Sequence, residues 1–68
     1  MSKKNPDFQK MFFDIYYEKF TFLRIGQIIA NSHNNDSTAI FYASNDGLWM
    51  TMYYYLKELE EKGEGYVG

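Results

Sequence analysis

The side chains of Arg24, Gln27 and Asn31 have the types and spacing that best suit binding chemistry. They stand at i, i+3 and i+7, so on a helix they share one face. A guanidinium beside two amides can hold a phosphate or carboxylate, or read a base edge or a peptide backbone. The competing interpretation is an ordinary solvated helix face, or hydrogen bonds that fix the loop after it. The sequence leaves both interpretations open.

Catalytic and metal-binding groups are sparse. The single histidine, His33, lies near Ser32, Asp36 and Ser37, but this spacing matches no motif for nucleophilic or acid–base catalysis. The absence of cysteine excludes disulfides and thiolate metal sites, and one histidine excludes a histidine-rich zinc site. We therefore expect a protein that is not an enzyme and that carries no metal and no cofactor.

The aromatic content is unusually high. Seven Tyr, six Phe and one Trp make up 21% of the 68 residues, and each ring can bury roughly 150–250 Å². A core this small is filled before all the rings are buried, so a surplus at an interface is expected, with an aromatic-heavy core as the alternative. The predicted binding residues are Arg24, Gln27, Asn31, Trp49, Tyr53 and Tyr54. The predicted interface residues between subunits are Phe13, Tyr17, Phe20 and Met50.

Charge and hydropathy narrow the class of partner and the compartment. The net charge is −2 and Arg24 is the only arginine, whereas a duplex-binding protein normally carries a basic stripe. Nucleic acid is therefore not an expected partner. The N-terminus is polar, and the longest apolar stretch is too short to span a bilayer. Together with the missing cysteines, these features predict a cytoplasmic protein that does not enter a membrane.

The elements that must position these side chains form an all-α domain of three helices covering residues 1–68. Asn5, Thr21 and Ser44 are the predicted N-caps. The polar stretch 31–38 predicts a loop, and a short extended segment should follow it over Ala39 to Tyr42. The ends, 1–5 and 63–68, are expected to be mobile. The predicted helices run from Pro6 to Lys19, from Phe22 to Asn31 and from Asn45 to Lys62.

Helical periodicity gives the outer helices two apolar sides. The first helix has a core face and a second stripe, the middle helix has one face, and the last helix has a core face with Met50 and Tyr54 pointing away. Two-sided helices in so short a chain predict a homo-oligomer, most simply a C2 dimer. The predicted core faces are Phe8, Met11, Phe12 and Ile15; Phe22, Ile25 and Ile29; and Leu48, Met52, Tyr55, Leu56 and Leu59. The second stripe is Phe13, Tyr17 and Phe20.

A short pattern of residues runs through the middle of the chain: Arg24, Gly26, Gln27 and Asn31, then Phe41 and Tyr42, then Asp46 before the final helix. The pattern resembles that of a group of small uncharacterised proteins of bacteria and their phages. The chain departs from it in having Asn45 where an acidic residue is usual, and in its aromatic-rich last helix. The resemblance implies a small helical fold and little about function. The short chain, the lack of catalytic groups and the phage-like pattern together suggest an accessory protein, and action against host defence follows by association only.

Two functions follow as alternatives. The first is a non-enzymatic protein that modulates or inhibits a protein partner through an aromatic surface. The second is a homo-oligomeric protein that sequesters a small anionic, nucleotide-like ligand between subunits. A flat exposed patch of Trp49, Tyr53 and Tyr54 favours the first, and a concave pocket that includes Arg24 favours the second. Arg24 is expected to pair with a buried Asp46 carboxylate; the alternatives are an arginine that binds an anionic ligand and an exposed arginine without a role.

Overall fold

The computed structural model describes residues 7–63, and helices are the only regular secondary structure in this part of the chain. The predicted all-α class is therefore confirmed, whereas the prediction of three helices is short by one. The predicted mobile ends are 1–5 and 63–68; apart from Gly63 they lie outside the described residues, as does the predicted Asn5 cap. The helices are α1 (Phe8–Lys19), α2 (Ile25–Ser32), α3 (Ser37–Tyr42) and α4 (Asn45–Glu61).

Helix α1 begins at Phe8 because Asp7 caps it. The Asp7 carboxylate accepts a hydrogen bond from the backbone N–H of Lys10 at 3.1 Å, which satisfies one of the free donors at the helix start. Asp7 was expected inside the first turn and is instead the cap itself.

Helix α2 begins three residues later than predicted, because a turn occupies the preceding residues. The Leu23 N–H donates to the Phe20 carbonyl at 2.9 Å, and the hydroxyl of buried Tyr16 donates to the Leu23 carbonyl at 2.8 Å. Arg24 then takes an extended conformation at the N-cap position of α2. Thr21 lies in the turn, so its predicted role as a cap is wrong.

Helix α3 stands where an extended segment was predicted over Ala39 to Tyr42. The Asp36 carboxylate accepts from the N–H groups of Thr38 and Ala39 at 3.0 and 3.1 Å, and so starts a helix. The predicted polar loop 31–38 shrinks to 33–36. Within it, Asn34 and Asn35 take left-handed conformations with φ of 57° and 60°, which asparagine tolerates better than most residues.

Helix α4 agrees with its prediction to within one residue. The Ser44 hydroxyl accepts from the Gly47 N–H at 3.0 Å, and Asp46 lies in the first turn. At the other end the chain leaves the helix through Lys62 and then Gly63, whose φ of +78° suits a residue without a Cβ.

The core lies between α4 and the two helices that pack against it, α1 and α2. Phe20, predicted at a subunit interface, has no exposed surface and belongs to this core. Helix α2 buries Ile28 rather than Phe22, which is 53% exposed because it lies in the turn before the helix. Phe8 and Met11, predicted in the core, are half-buried. The buried residues are Phe12, Ile15, Tyr16, Phe20, Ile28, Met52 and Leu56.

Candidate partner-binding surface

Two neighbouring rings on α3 form the most exposed apolar feature of residues 7–63. Phe41 and Tyr42 are 77% and 78% exposed, and their rings meet edge to face with centroids 4.9 Å apart. With Ser37 and Thr38 they border a shallow groove of about 410 Å³. We call Phe41 and Tyr42 the α3 aromatic pair.

The short length of α3 explains why the pair is exposed. The helix contains no buried residue, and Ile40 is its one half-buried side chain. Six residues make less than two turns, so few positions can face the core. The predicted binding set omits the pair, although Phe41 and Tyr42 belong to the residue pattern on which the predicted resemblance rests. The signal that could have found them is a pair of adjacent large rings five and six residues after Asp36, a residue that can cap a helix.

A second surface, the α2–α4 groove, lies between the end of α2 and the middle of α4. It encloses about 500 Å³. The groove brings together predicted binding residues Asn31 and Tyr54 with the predicted interface residue Met50. Tyr54 and Met50 are 57% and 41% exposed, which confirms that they point away from the core. The lining residues are Asn31, Ser32, Asn34, Met50, Thr51, Tyr54, Tyr55 and Glu58.

Arg24 and Gln27 do not join this groove. Both are exposed, and neither is among the residues that line it. Within residues 7–63 Arg24 forms no ion pair, and Asp46 is exposed. The predicted buried Arg24–Asp46 pair is therefore wrong. The physical reason is that this part of the chain buries no charged or polar residue, so no desolvated carboxylate requires a partner.

The remaining predicted aromatic residues contact the core or each other. Trp49 lies against Phe12 and Phe13, with ring centroids 5.5 and 5.4 Å apart. Phe13 stacks in turn on Tyr17 at 5.7 Å, and Tyr17 is 67% exposed. Tyr53 is half-buried against the core cluster. Trp49, Tyr53 and Tyr54 thus form neither a flat exposed patch nor a pocket with Arg24.

A third surface, the α1–α4 groove, contains paired charges. It encloses about 260 Å³. Glu60 accepts hydrogen bonds from both Lys19 and Lys57, the latter at 3.0 Å. The bond from Lys19 is the main reason, and that from Lys57 the second, why the pKa of Glu60 lies below its ordinary value. In turn, the hydrogen bond to Glu60 raises the pKa of Lys57. The lining residues are Met11, Asp14, Ile15, Glu18, Tyr53, Lys57 and Glu60.

Ser32 and His33 make contacts that stabilise the end of α2. The Ser32 hydroxyl donates to the Ile29 carbonyl at 3.0 Å, and His33 Nδ1 lies 2.9 Å from the same oxygen and 3.1 Å from Ser32 Oγ. A carbonyl oxygen only accepts, so its bond to Nδ1 requires a proton on that nitrogen. Nδ1 then cannot take the serine proton. Within residues 7–63 no group of three His, Cys, Asp or Glu side chains could hold a metal ion.

Comparison with known proteins finds no protein that is related to this chain. No family model matches the chain, and no curated protein and no solved structure is significantly similar to it. The resemblance to small uncharacterised proteins of bacteria and their phages stays a prediction. Among residues 7–63, no helix has both the length and the apolar character needed to cross a bilayer.

Proposed function

We propose that this chain is a non-enzymatic accessory protein that docks onto a protein partner through the α3 aromatic pair and modulates or inhibits it. The observation that carries the proposal is the exposure of Phe41 and Tyr42, at 77% and 78%, on a helix that buries no residue. Large rings left in water lose the stabilisation of burial, about 25 cal/mol per Å². Tyr and Phe are also enriched in the buried centres of protein interfaces.

The distribution of charge supports a protein partner over an anionic ligand. Glu58 is the one charged residue that lines the α2–α4 groove. The α1–α4 groove is lined by three carboxylates and a single lysine, Lys57. Neither set of lining residues carries a net positive charge that would attract a phosphate or nucleotide. Arg24, the cation that the ligand hypothesis needs, lines neither of them.

The proposed setting is the bacterial cytoplasm. The resemblance to phage proteins would make the partner a host protein, including a component of host defence. Affinity capture from lysate of the native host tests this setting. We expect the wild-type chain to retain one stoichiometric protein that the double variant Phe41→Ser/Tyr42→Ser loses.

The matched control for that capture is Phe22→Ser, which removes an exposed ring from the turn before α2. It should retain the captured protein as well as the wild type does. Equal retention by the wild type and the Phe41→Ser/Tyr42→Ser variant would overturn the proposal.

Self-association is a second proposal, and it uses a different surface. Tyr17 is 67% exposed and stacks on Phe13, so a second copy could bury both rings. We expect light scattering at micromolar concentration to give about twice the 8.1 kDa chain mass, and Tyr17→Ser to restore the monomer. If the wild-type chain is a monomer under these conditions, the proposed dimer is wrong.

A further inference from the structure

We infer that the α2–α4 groove takes an arginine side chain from the protein partner. The inference rests on the proposed function in that it requires a protein partner, but it involves a surface other than the α3 aromatic pair. The occupant is a basic side chain of the partner because the groove's charge, rings and polar groups all suit a guanidinium.

The charge of the groove comes from Glu58. Its carboxylate contacts the Lys62 ammonium at 3.5 Å, and the two side chains are 63% and 58% exposed. An exposed pair of this kind is weak, so a guanidinium placed inside the groove can compete with Lys62 for the carboxylate. Arginine donates two parallel hydrogen bonds to a carboxylate, which a lysine ammonium cannot do.

The rings and amides of the groove complete the match. Tyr54 and Tyr55 line it, and a guanidinium is attracted to the face of an aromatic ring. Asn31 and Asn34 also line it, and their side-chain amides make no hydrogen bond within residues 7–63. Their oxygens are therefore available as acceptors. The groove also lies at the end of α2, where the helix dipole favours positive charge.

The α1–α4 groove is a poorer site for the same group. Two of its carboxylates already bind cations within the chain, since Asp14 pairs with Lys10 at 3.0 Å and Glu60 with Lys19 and Lys57. A guanidinium there would have to displace these partners.

The test is an NMR titration of the ¹⁵N-labelled full chain with a pentapeptide that carries one arginine between glycines and has blocked ends. The matched probe is the same peptide with citrulline, which keeps the shape of arginine but has no charge. We expect the arginine peptide to shift the amides of Asn31, Thr51, Tyr54 and Glu58. The citrulline peptide should bind about tenfold more weakly, as the loss of a charge-assisted hydrogen bond implies.

Two variants sharpen the titration. Glu58→Gln removes the exposed carboxylate and should weaken the arginine peptide about tenfold, whereas Glu61→Gln, an exposed acid that does not line the groove, should leave binding unchanged. Equal binding of the two peptides, equal effects of the two variants, or shifts centred on Asp14 and Glu18 would each overturn the inference.

Failure of this inference can be told apart from failure of the proposed function. If the arginine peptide does not bind in the groove while capture through Phe41 and Tyr42 persists, the arginine site is wrong and the partner surface stands. If the peptide binds as expected but the Phe41→Ser/Tyr42→Ser variant captures as well as the wild type, the proposed partner surface is wrong.

Discussion

Helix α3 and the α1–α4 pair use their large side chains in opposite ways. Phe12 in α1 and Leu56 in α4 have no exposed surface, and Lys19 bridges the two helices through Glu60. In α3, the adjacent residues Phe41 and Tyr42 are more than three-quarters exposed. If the proposed function is correct, stability resides in the first region and recognition in the second, so substitutions should separate the two properties.

Phe12→Ala should have the largest effect on stability. It removes a fully buried ring that contacts Trp49 and Tyr16, so we expect a loss of about 3–5 kcal/mol or the disappearance of the cooperative transition in urea. Phe41→Ala, the matched change in α3, should stay within about 0.5 kcal/mol. Equal losses in the two variants would place α3 in the core and break the comparison.

Tyr16→Phe should have the next largest effect. It keeps the buried ring and removes only the hydroxyl that donates to the Leu23 carbonyl. We expect a loss of about 1 kcal/mol, measured by urea unfolding, because the turn between α1 and α2 depends on this bond. The control is Tyr42→Phe, whose hydroxyl is exposed and whose removal should change nothing measurable. A stable Tyr16→Phe variant would show that the turn holds without the bond.

Much of α4 could be predicted from its own residues, because Ser44 and Gly63 mark its ends locally. The late start of α2 could not, since it depends on a bond from Tyr16 in another helix. Phe20 and Tyr17 belong to one stripe, but α1 ends at Lys19, and the chain then turns Phe20 into the core.

The candidate site was less predictable than the fold. Asn31, Met50 and Tyr54 share a groove only because α2 packs on α4, and no spacing along the chain encodes that contact. The α3 aromatic pair was missed because the sequence prediction places Asp36, the cap of α3, in a loop. Asp36 is equally typical of a turn and of a helix cap, and only the hydrogen bonds to Thr38 and Ala39 distinguish the two.

Glu60→Gln should have a smaller effect, and one that depends on pH. The folded-state pKa of Glu60 lies below its unfolded value because Lys19 and Lys57 donate to it. Its contribution to stability is therefore present above the ordinary pKa of 4.5 and is lost as the pH falls through the folded value. We expect the difference in melting temperature between wild type and Glu60→Gln to shrink below pH 4.5.

Glu61→Gln is the control for the pH series, since Glu61 is exposed and takes part in no ion pair within residues 7–63. The melting temperature of Glu61→Gln should stay close to that of the wild type at every pH. If the difference in melting temperature between wild type and Glu60→Gln grows in acid, the assigned direction of the pKa shift is wrong.

Arg24→Ala should have the smallest effect on stability. Arg24 is exposed and caps α2 without a side-chain hydrogen bond, so we expect a change within about 0.5 kcal/mol in urea unfolding. A loss of about 3–5 kcal/mol would instead indicate a carboxylate that depends on it.

One paired measurement on the Phe41→Ser/Tyr42→Ser variant tests most directly whether the core provides stability while α3 binds the partner. Its melting temperature and its Kd for the purified captured partner are compared with those of the wild type. We expect an unchanged melting temperature and a Kd weakened about 100-fold or more, as for two aromatic residues at the centre of an interface. A lower melting temperature with an unchanged Kd would contradict the account, because the two rings would then serve the fold and not the partner.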